Sequence, residues 1–308
     1  MKDHKGRLLL VLTFTILLST ASCNQTAAIP TATIASTATL VPTATAAPTI
    51  QPGDSERKLM VNDLERSYLL HIPPGLSSQQ PVPVVFAFHG LSLTPSHMQR
   101  TAGLDDVADL ANFLVVYPRG VGGSWNTGEE GPGFAVAQNV DEPAFVRKML
   151  SDLDTIANID PKRIYAVGYS QGGALVYRLA CDMSDTFAAI ASVSGPMEYS
   201  TCKPTQAVSV IHVHGLADTL VPFSGGGGYD LSPVEKGIDT WVELDNCTGS
   251  AKEEDEINGI THITYASCQA GTAVELYTID SGGHTWPFEN VMPASGVIWE
   301  FLEAHPKP

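Results

Sequence analysis

Arg163-Ile164-Tyr165-Ala166-Val167-Gly168-Tyr169-Ser170-Gln171-Gly172-Gly173-Ala174-Leu175-Val176-Tyr177-Arg178-Leu179-Ala180 decides how this chain is read. Its first five residues form an apolar run of strand type, and its last eight carry a helical pattern. Between them lies G-x-S-x-G. Strand, G-x-S-x-G, helix is the layout of a nucleophile elbow, in which a serine sits on a strained turn with its hydroxyl exposed. Glycine is needed on both sides because a side chain there would collide with the tight strand–helix crossing. A pentapeptide is short enough to arise by chance, so its setting and its partners have to decide.

The setting is an alternation of strands and helices. Arg57–Val61 and Ser67–Ile72 read as an opening hairpin. Continuous apolar runs follow at Val82–Phe88, Phe113–Tyr117, Ile164–Val167, Ala188–Val193, Ala207–Val213 and Val274–Ile279. Continuous rather than alternating runs indicate strands buried on both faces, as in a parallel sheet. Phe145, Met149, Leu153 and Ile156 recur at helical spacing behind Asp141-Glu142-Pro143, a helix start. Asp239–Leu244 and Gly296–Ala304 read as further helices. The class is α/β, with a doubly wound, mostly parallel sheet.

Ligands of such sheets bind beyond the carboxyl ends of the strands. There this chain has His89-Gly90-Leu91, Tyr117-Pro118-Arg119-Gly120, Ser170-Gln171, His214-Gly215-Leu216-Ala217-Asp218 and Gly282-Gly283-His284-Thr285-Trp286. A serine hydroxyl needs a base to take its proton, and the base needs a carboxylate to hold its tautomer. In α/β-hydrolases the chain order is serine, acid, histidine. His284, presented by a glycine-rich loop after a strand, is the base expected for Ser170. His262 lies in an apolar stretch and His305 in the tail. Asp218 follows the penultimate strand and is the expected acid, with Asp280 as its rival. The oxyanion would be held by the backbone N–H groups of Gln171 and Leu91, and Gly90 lets that loop turn close to substrate. Trp125 and Trp286, just past strand ends, are either core aromatics or a substrate-binding wall. His212 and His214 share one strand face; with no third ligand placed nearby they read as packing and hydrogen-bonding residues. Gly225–Gly228 lacks the lysine and helix start of a phosphate cradle.

The chain has 308 residues and a net charge of −16, which argues against a nucleic-acid partner. Residues 1–22 read as an export signal: Lys2, Lys5 and Arg7 precede an apolar Leu8–Leu18, too short to span a bilayer. Thr20-Ala21-Ser22-Cys23 resembles a lipobox, so Cys23 is expected to carry a lipid, although Thr20 departs from the usual leucine; the alternative is ordinary secretion with cleavage nearby. Residues 23–52, rich in Thr, Ala and Pro, form an anchored stalk without a core, reaching about 80 Å if extended. Residues 53–308 then form one catalytic domain. Of the five cysteines, the four in that domain suggest two disulfides. Three pairings exist, and Cys181–Cys202 with Cys247–Cys268 is favoured because each closes a short loop. A four-thiolate metal site lacks the C-x2-C spacing.

The folded region, from about Arg57 to Pro306, resembles the secreted bacterial esterases grouped as polyhydroxybutyrate depolymerase-like and feruloyl esterase-like, related to carbohydrate esterase family 1. The resemblance rests on FHG at 88–90, VVYPRG at 115–120, SWN at 124–126, DPKRIYAVGYSQGG at 160–173, HVHGLADTLVPF at 212–223 and ELYTIDSGGHTWP at 275–287. It implies an α/β-hydrolase fold, a Ser170–Asp218–His284 triad and an oxyanion hole at Leu91 and Gln171. Many family members carry Cys or Gly at the place of Leu91, which spares the backbone donor but alters the acyl pocket. No insertion large enough for a cap domain lies between Val193 and Ala207. The expectation is an exported, lipid-anchored serine esterase that needs no cofactor and no metal. Its partner would be an ester, polymeric or soluble: feruloyl or acetyl esters on plant polysaccharide, or hydroxyalkanoate oligomers. The only membrane link would be the lipid on Cys23. The alternatives are a serine peptidase of the same fold, or an inactive surface lipoprotein that binds carbohydrate through Trp125 and Trp286. The acyl group, the alcohol and the oligomeric state are not legible.

Overall fold

A computed structural model describes residues 51–77, 80–128, 131–249, 251–256, 259–287 and 291–308. The export signal, Cys23 and the stalk up to residue 50 lie outside the described residues. The strands are β1 (Gly53–Val61), β2 (Leu64–Ile72), β3 (Val82–Phe88), β4 (Leu114–Pro118), β5 (Ile159–Tyr169), β6 (Ala189–Val193), β7 (Ser209–Gly215), β8 (Lys252–Glu256), β9 (Ile260–Tyr265) and β10 (Val274–Ile279). The helices are α1 (Pro95–Ala102), α2 (Leu104–Ala111), α3 (Phe134–Ala137), α4 (Glu142–Leu153), α5 (Gln171–Asp182), α6 (Val234–Leu244) and α7 (Ala294–Ala304). The strands form one sheet in the order β1-β2-β4-β3-β5-β6-β7-β10-β9-β8. From β4 to β10 neighbours run parallel, and the two hairpins add antiparallel edges.

The continuous apolar runs are the buried strands: every residue of β3, β4, β6 and β7 is buried. Their side chains feed two cores. On one face Phe86, Phe88, Ile190 and Val210 meet Phe145 and Met149 of α4, Leu175 and Leu179 of α5 and Trp241 of α6. On the other, Val85, Val115, Val167 and Val213 meet Met98 of α1, Leu104 of α2 and Ile298 and Leu302 of α7. Helices on both faces make this the doubly wound α/β sheet that the sequence pattern predicts, as the α/β-hydrolase resemblance implies.

Local signals place the helix starts. Asp141 caps α4, its carboxylate accepting from the Ala144 N–H at 2.9 Å, with Pro143 in the first turn. Thr94 caps α1 in the same way through the His97 N–H at 3.3 Å. Several elements have no counterpart in the sequence reading: the α1–α2 pair, the single turn of α3 and the β8–β9 hairpin, which carries the sheet beyond β10. Cys181 is joined to Cys202, and Cys247 to Cys268. No helix among the described residues is long and apolar enough to cross a membrane.

Candidate active site

β5 ends at Tyr169 and α5 begins at Gln171, so Ser170 alone makes the turn. Its backbone sits at φ 56° and ψ −120°, which L-residues rarely adopt. The crossing is tight enough to explain both flanking glycines. A Cβ on Gly168 would lie 2.0 Å from the Gly172 carbonyl oxygen, and one on Gly172 would lie 2.1 Å from the Phe88 carbonyl oxygen. The Ser170 N–H donates to the Val193 carbonyl at 2.8 Å, pinning the turn to β6.

The loops after β7 and β10 bring two further groups to this serine. His284 Nε2 lies 3.0 Å from Ser170 Oγ, and His284 Nδ1 lies 2.7 Å from Asp218 Oδ2. With the Nδ1–H donated to the carboxylate, Nε2 is left to accept the serine proton. The other Asp218 oxygen, Oδ1, accepts the backbone N–H groups of Leu220 and Val221 at 2.9 and 2.8 Å. Asp218 is 4 % exposed, so its charge meets little water. Asp280, the rival acid, is exposed at the end of β10, and its N–H bonds the Gly259 carbonyl. The Tyr169 hydroxyl donates to the His284 carbonyl at 2.8 Å, fixing the loop that carries the ring. Burial, then the Asp218 charge, pushes that phenol up to about 12.

Leu91 and Gln171 line the same cleft. Among the described residues, neither backbone N–H has a protein hydrogen-bond partner. The Leu91 loop is held by a residue that the sequence reading left without a role. His89 is fully buried and donates from Nδ1 to the Gly90 carbonyl at 2.8 Å, while its Nε2 accepts the Gly120 N–H at 3.0 Å. Both bonds need a neutral ring, and burial lowers its pKa to about 4. Gln171 also acts through its side chain. Its Oε1 accepts the Trp125 N–H at 3.0 Å and its amide donates to the Pro132 carbonyl, stitching the elbow to the 124–132 segment.

The two tryptophans require a correction as substrate residues. Trp125 is 0 % and Trp286 is 2 % exposed, and neither lines the cleft beside Ser170. The Trp125 indole N–H donates to the His89 carbonyl at 2.7 Å, and its ring meets Phe88 edge to face; it supports the Leu91 loop from beneath. The Trp286 indole N–H donates to Ser295 Oγ at 3.1 Å, anchoring the histidine loop to α7. Both rings turn inward, where each indole N–H finds a hydrogen-bond partner. The cleft itself, about 420 Å³, is walled by Leu91, Leu93, Pro132, Leu220, Tyr229 and Leu231. Tyr229 and Leu231 come from the loop around Gly225–Gly228, where the bonds between Gly226 and Leu231 fold a small hairpin over the site. Glu198 and Thr127 add polar groups. Tyr229 and Leu231 have no sequence signature, because the loop that supplies them is placed only by the fold.

The family model described as "Putative esterase" matches residues 63–278. The chain belongs to this Esterase family. The esterase is 31% identical over 253 residues to "Putative esterase NocK" of Nocardia uniformis subsp. tsuyamanensis, covering 75% of this chain and 73% of that protein. It is 27% identical over 240 residues to feruloyl esterase B of Piromyces equi, covering 71% of this chain but only 42% of that relative. Among solved structures, the acetyl xylan esterase from Aspergillus awamori superposes with a TM-score of 0.60 at 16% identity, over 81% of this chain and 99% of that one. The last likeness bears on the fold. The family and the relatives make the protein a carboxylic ester hydrolase.

Proposed function

We propose that the esterase works through an acyl-enzyme on Ser170, with His284 as general base and acid, Asp218 as the group that orients and steadies it, and Leu91 and Gln171 as oxyanion donors. The reading rests above all on the unbroken chain from Asp218 Oδ2 through His284 to Ser170 Oγ, at 2.7 and 3.0 Å. His284 Nε2 takes the hydroxyl proton as Ser170 Oγ attacks the ester carbonyl carbon. The carbonyl oxygen becomes an oxyanion facing the two backbone N–H groups. Collapse breaks the bond to the alcohol oxygen, which leaves with the proton from His284. Water then repeats the sequence and frees the acid.

The substrates proposed are feruloyl or acetyl esters on plant polysaccharide, or hydroxyalkanoate oligomers. Relatives named as feruloyl and acetylxylan esterases support the first pair. A cleft of about 420 Å³ with apolar walls suits an acyl group larger than acetyl. The two disulfides fit an oxidising compartment, in keeping with export through residues 1–22, a lipid on Cys23 and a stalk to residue 52. Turnover of the 4-nitrophenyl esters of ferulic, acetic and 3-hydroxybutyric acids, which share one leaving group, ranks the acyl groups, with the ferulate expected first. Equal or better turnover of the acetyl ester would reverse that ranking. Wild-type turnover by Ser170→Ala would overturn the nucleophile. Mass spectrometry of the mature N-terminus tests the anchor: diacylglycerol on Cys23 is expected, and a lipid-free N-terminus contradicts it.

A further inference from the structure

β7 carries two histidines that take no part in proton transfer from Ser170. His212 and His214 are both fully buried, with rings 5.3 Å apart and 9° from parallel. All four ring nitrogens have protein partners, and the partners dictate where each proton sits. The Val221 carbonyl only accepts, so His214 Nε2, 2.8 Å away, carries a hydrogen. Burial drives the His214 pKa down and keeps the ring neutral, so its Nδ1 is bare. That Nδ1 accepts the Nε2–H of His212 at 3.0 Å. His212 is held neutral in the same way, so its Nδ1 accepts the Tyr177 hydroxyl at 2.9 Å. The chain therefore runs one way, from Tyr177 on α5 through His212 and His214 to Val221.

Val221 is the residue whose N–H bonds Asp218 Oδ1 at 2.8 Å. Its peptide groups are thus gripped on one side by the acid and on the other by His214. His214 Nε2 also lies 3.7 Å from Asp218 Oδ2, the oxygen that accepts the His284 Nδ1–H. A cationic His214 would draw that oxygen away from His284, whereas a neutral one leaves it in place. The titratable groups facing His214 are His212 on its own strand, Asp218 from the following loop and His284 from the loop after β10, with Tyr177 of α5 reaching it only through His212. Its register partner on β10 is Thr278, which carries no charge.

We propose that His214 is a positioning residue for the acid: it clamps the 218–221 loop through the Val221 carbonyl, and the Tyr177–His212 relay fixes its tautomer so that the Asp218 charge is directed at His284. The proposal rests on the triad reading above. Three variants are assayed side by side on 4-nitrophenyl acetate. Asp218→Asn marks the triad itself, His214→Leu removes the donor, and His214→Gln offers an amide N–H to Val221. His214→Leu is expected to lower kcat about 10- to 100-fold, the scale of a misplaced catalytic group, with KM within about threefold. His214→Gln should recover most of that loss. Equal losses in both variants would mean that His214 only fills space, and the proposal falls. Full activity in His214→Leu beside a dead Asp218→Asn removes the clamp but leaves the triad. Full activity in both removes the triad as well. Nitrogen NMR of the unaltered protein decides the matter even if a variant does not fold. His214 should be protonated at Nε2 only and neutral throughout the active pH range. A cationic ring, or a proton on Nδ1, overturns the proposal.

Discussion

At Ser170 the sequence demands a backbone that serine disfavours, with φ at 56°, and strain of this kind costs about 1–3 kcal/mol. The tight turn holds it there, and the hydroxyl is left facing His284. The orientation of His284 depends in turn on Asp218. Asp218→Asn is expected to lower kcat by about 10⁴, as loss of the triad acid does in serine proteases. Asp280→Asn should stay within a few-fold, since that carboxyl is exposed. Steady-state kinetics of the pair check this, and the reverse ranking would move the acid to Asp280. Ser170, Asp218 and His284 are legible in the sequence because order along the chain and position after a strand are one-dimensional facts. The roles of His89 and the Gln171 side chain are not. Their partners, Gly120 and Trp125, lie 31 and 46 residues away, and nothing local announces them. Nor can a sequence tell how deep a tryptophan sits, so Trp125 and Trp286 read equally well as wall or core until the fold buries them.

Among the elements, strands buried on both faces were legible because each is an unbroken apolar run. β8 was not: its residues, Lys252-Glu253-Glu254-Asp255-Glu256, are all charged, and among the described residues the strand pairs with β9 at the sheet edge. Charge at an edge strand discourages pairing with other chains. The opposite edge is tied by a cluster of different character. His71 on β2 bonds Asp54 of β1 at 2.7 Å and Asp109 of α2 at 3.1 Å, with Asp105 nearby. Burial opposes charge on His71, but the Asp54 bond and the Asp105 and Asp109 carboxylates outweigh it and raise its pKa. A raised folded pKa stabilises fully below the unfolded value of about 6.5, and the gain fades as pH climbs through the folded value. Wild type should therefore exceed His71→Gln in stability most at about pH 5.5 and least at about pH 8.5. Urea midpoints at the two pH values check the sign. A gap that widens with pH would mean that the ring is neutral in the fold.

For the molecule as a whole, the two disulfides each link residues 21 apart and brace the same face of the sheet, one at the end of α5 and one beyond α6. Loops of that length imply about 3 kcal/mol of stabilisation apiece. Urea unfolding of Cys181→Ala/Cys202→Ala and of Cys247→Ala/Cys268→Ala should show each loss separately, and roughly their sum in the fourfold variant. The pairs lie away from the cleft, so activity per folded molecule should hold. The proposed chemistry converges on one atom, Ser170 Oγ. Treating the native protein with a fluorophosphonate and mapping the adduct by peptide mass spectrometry tests it most directly. A single stoichiometric adduct on Ser170, lost in His284→Ala, is the predicted result. An unlabelled protein, or an adduct on another residue, would contradict it.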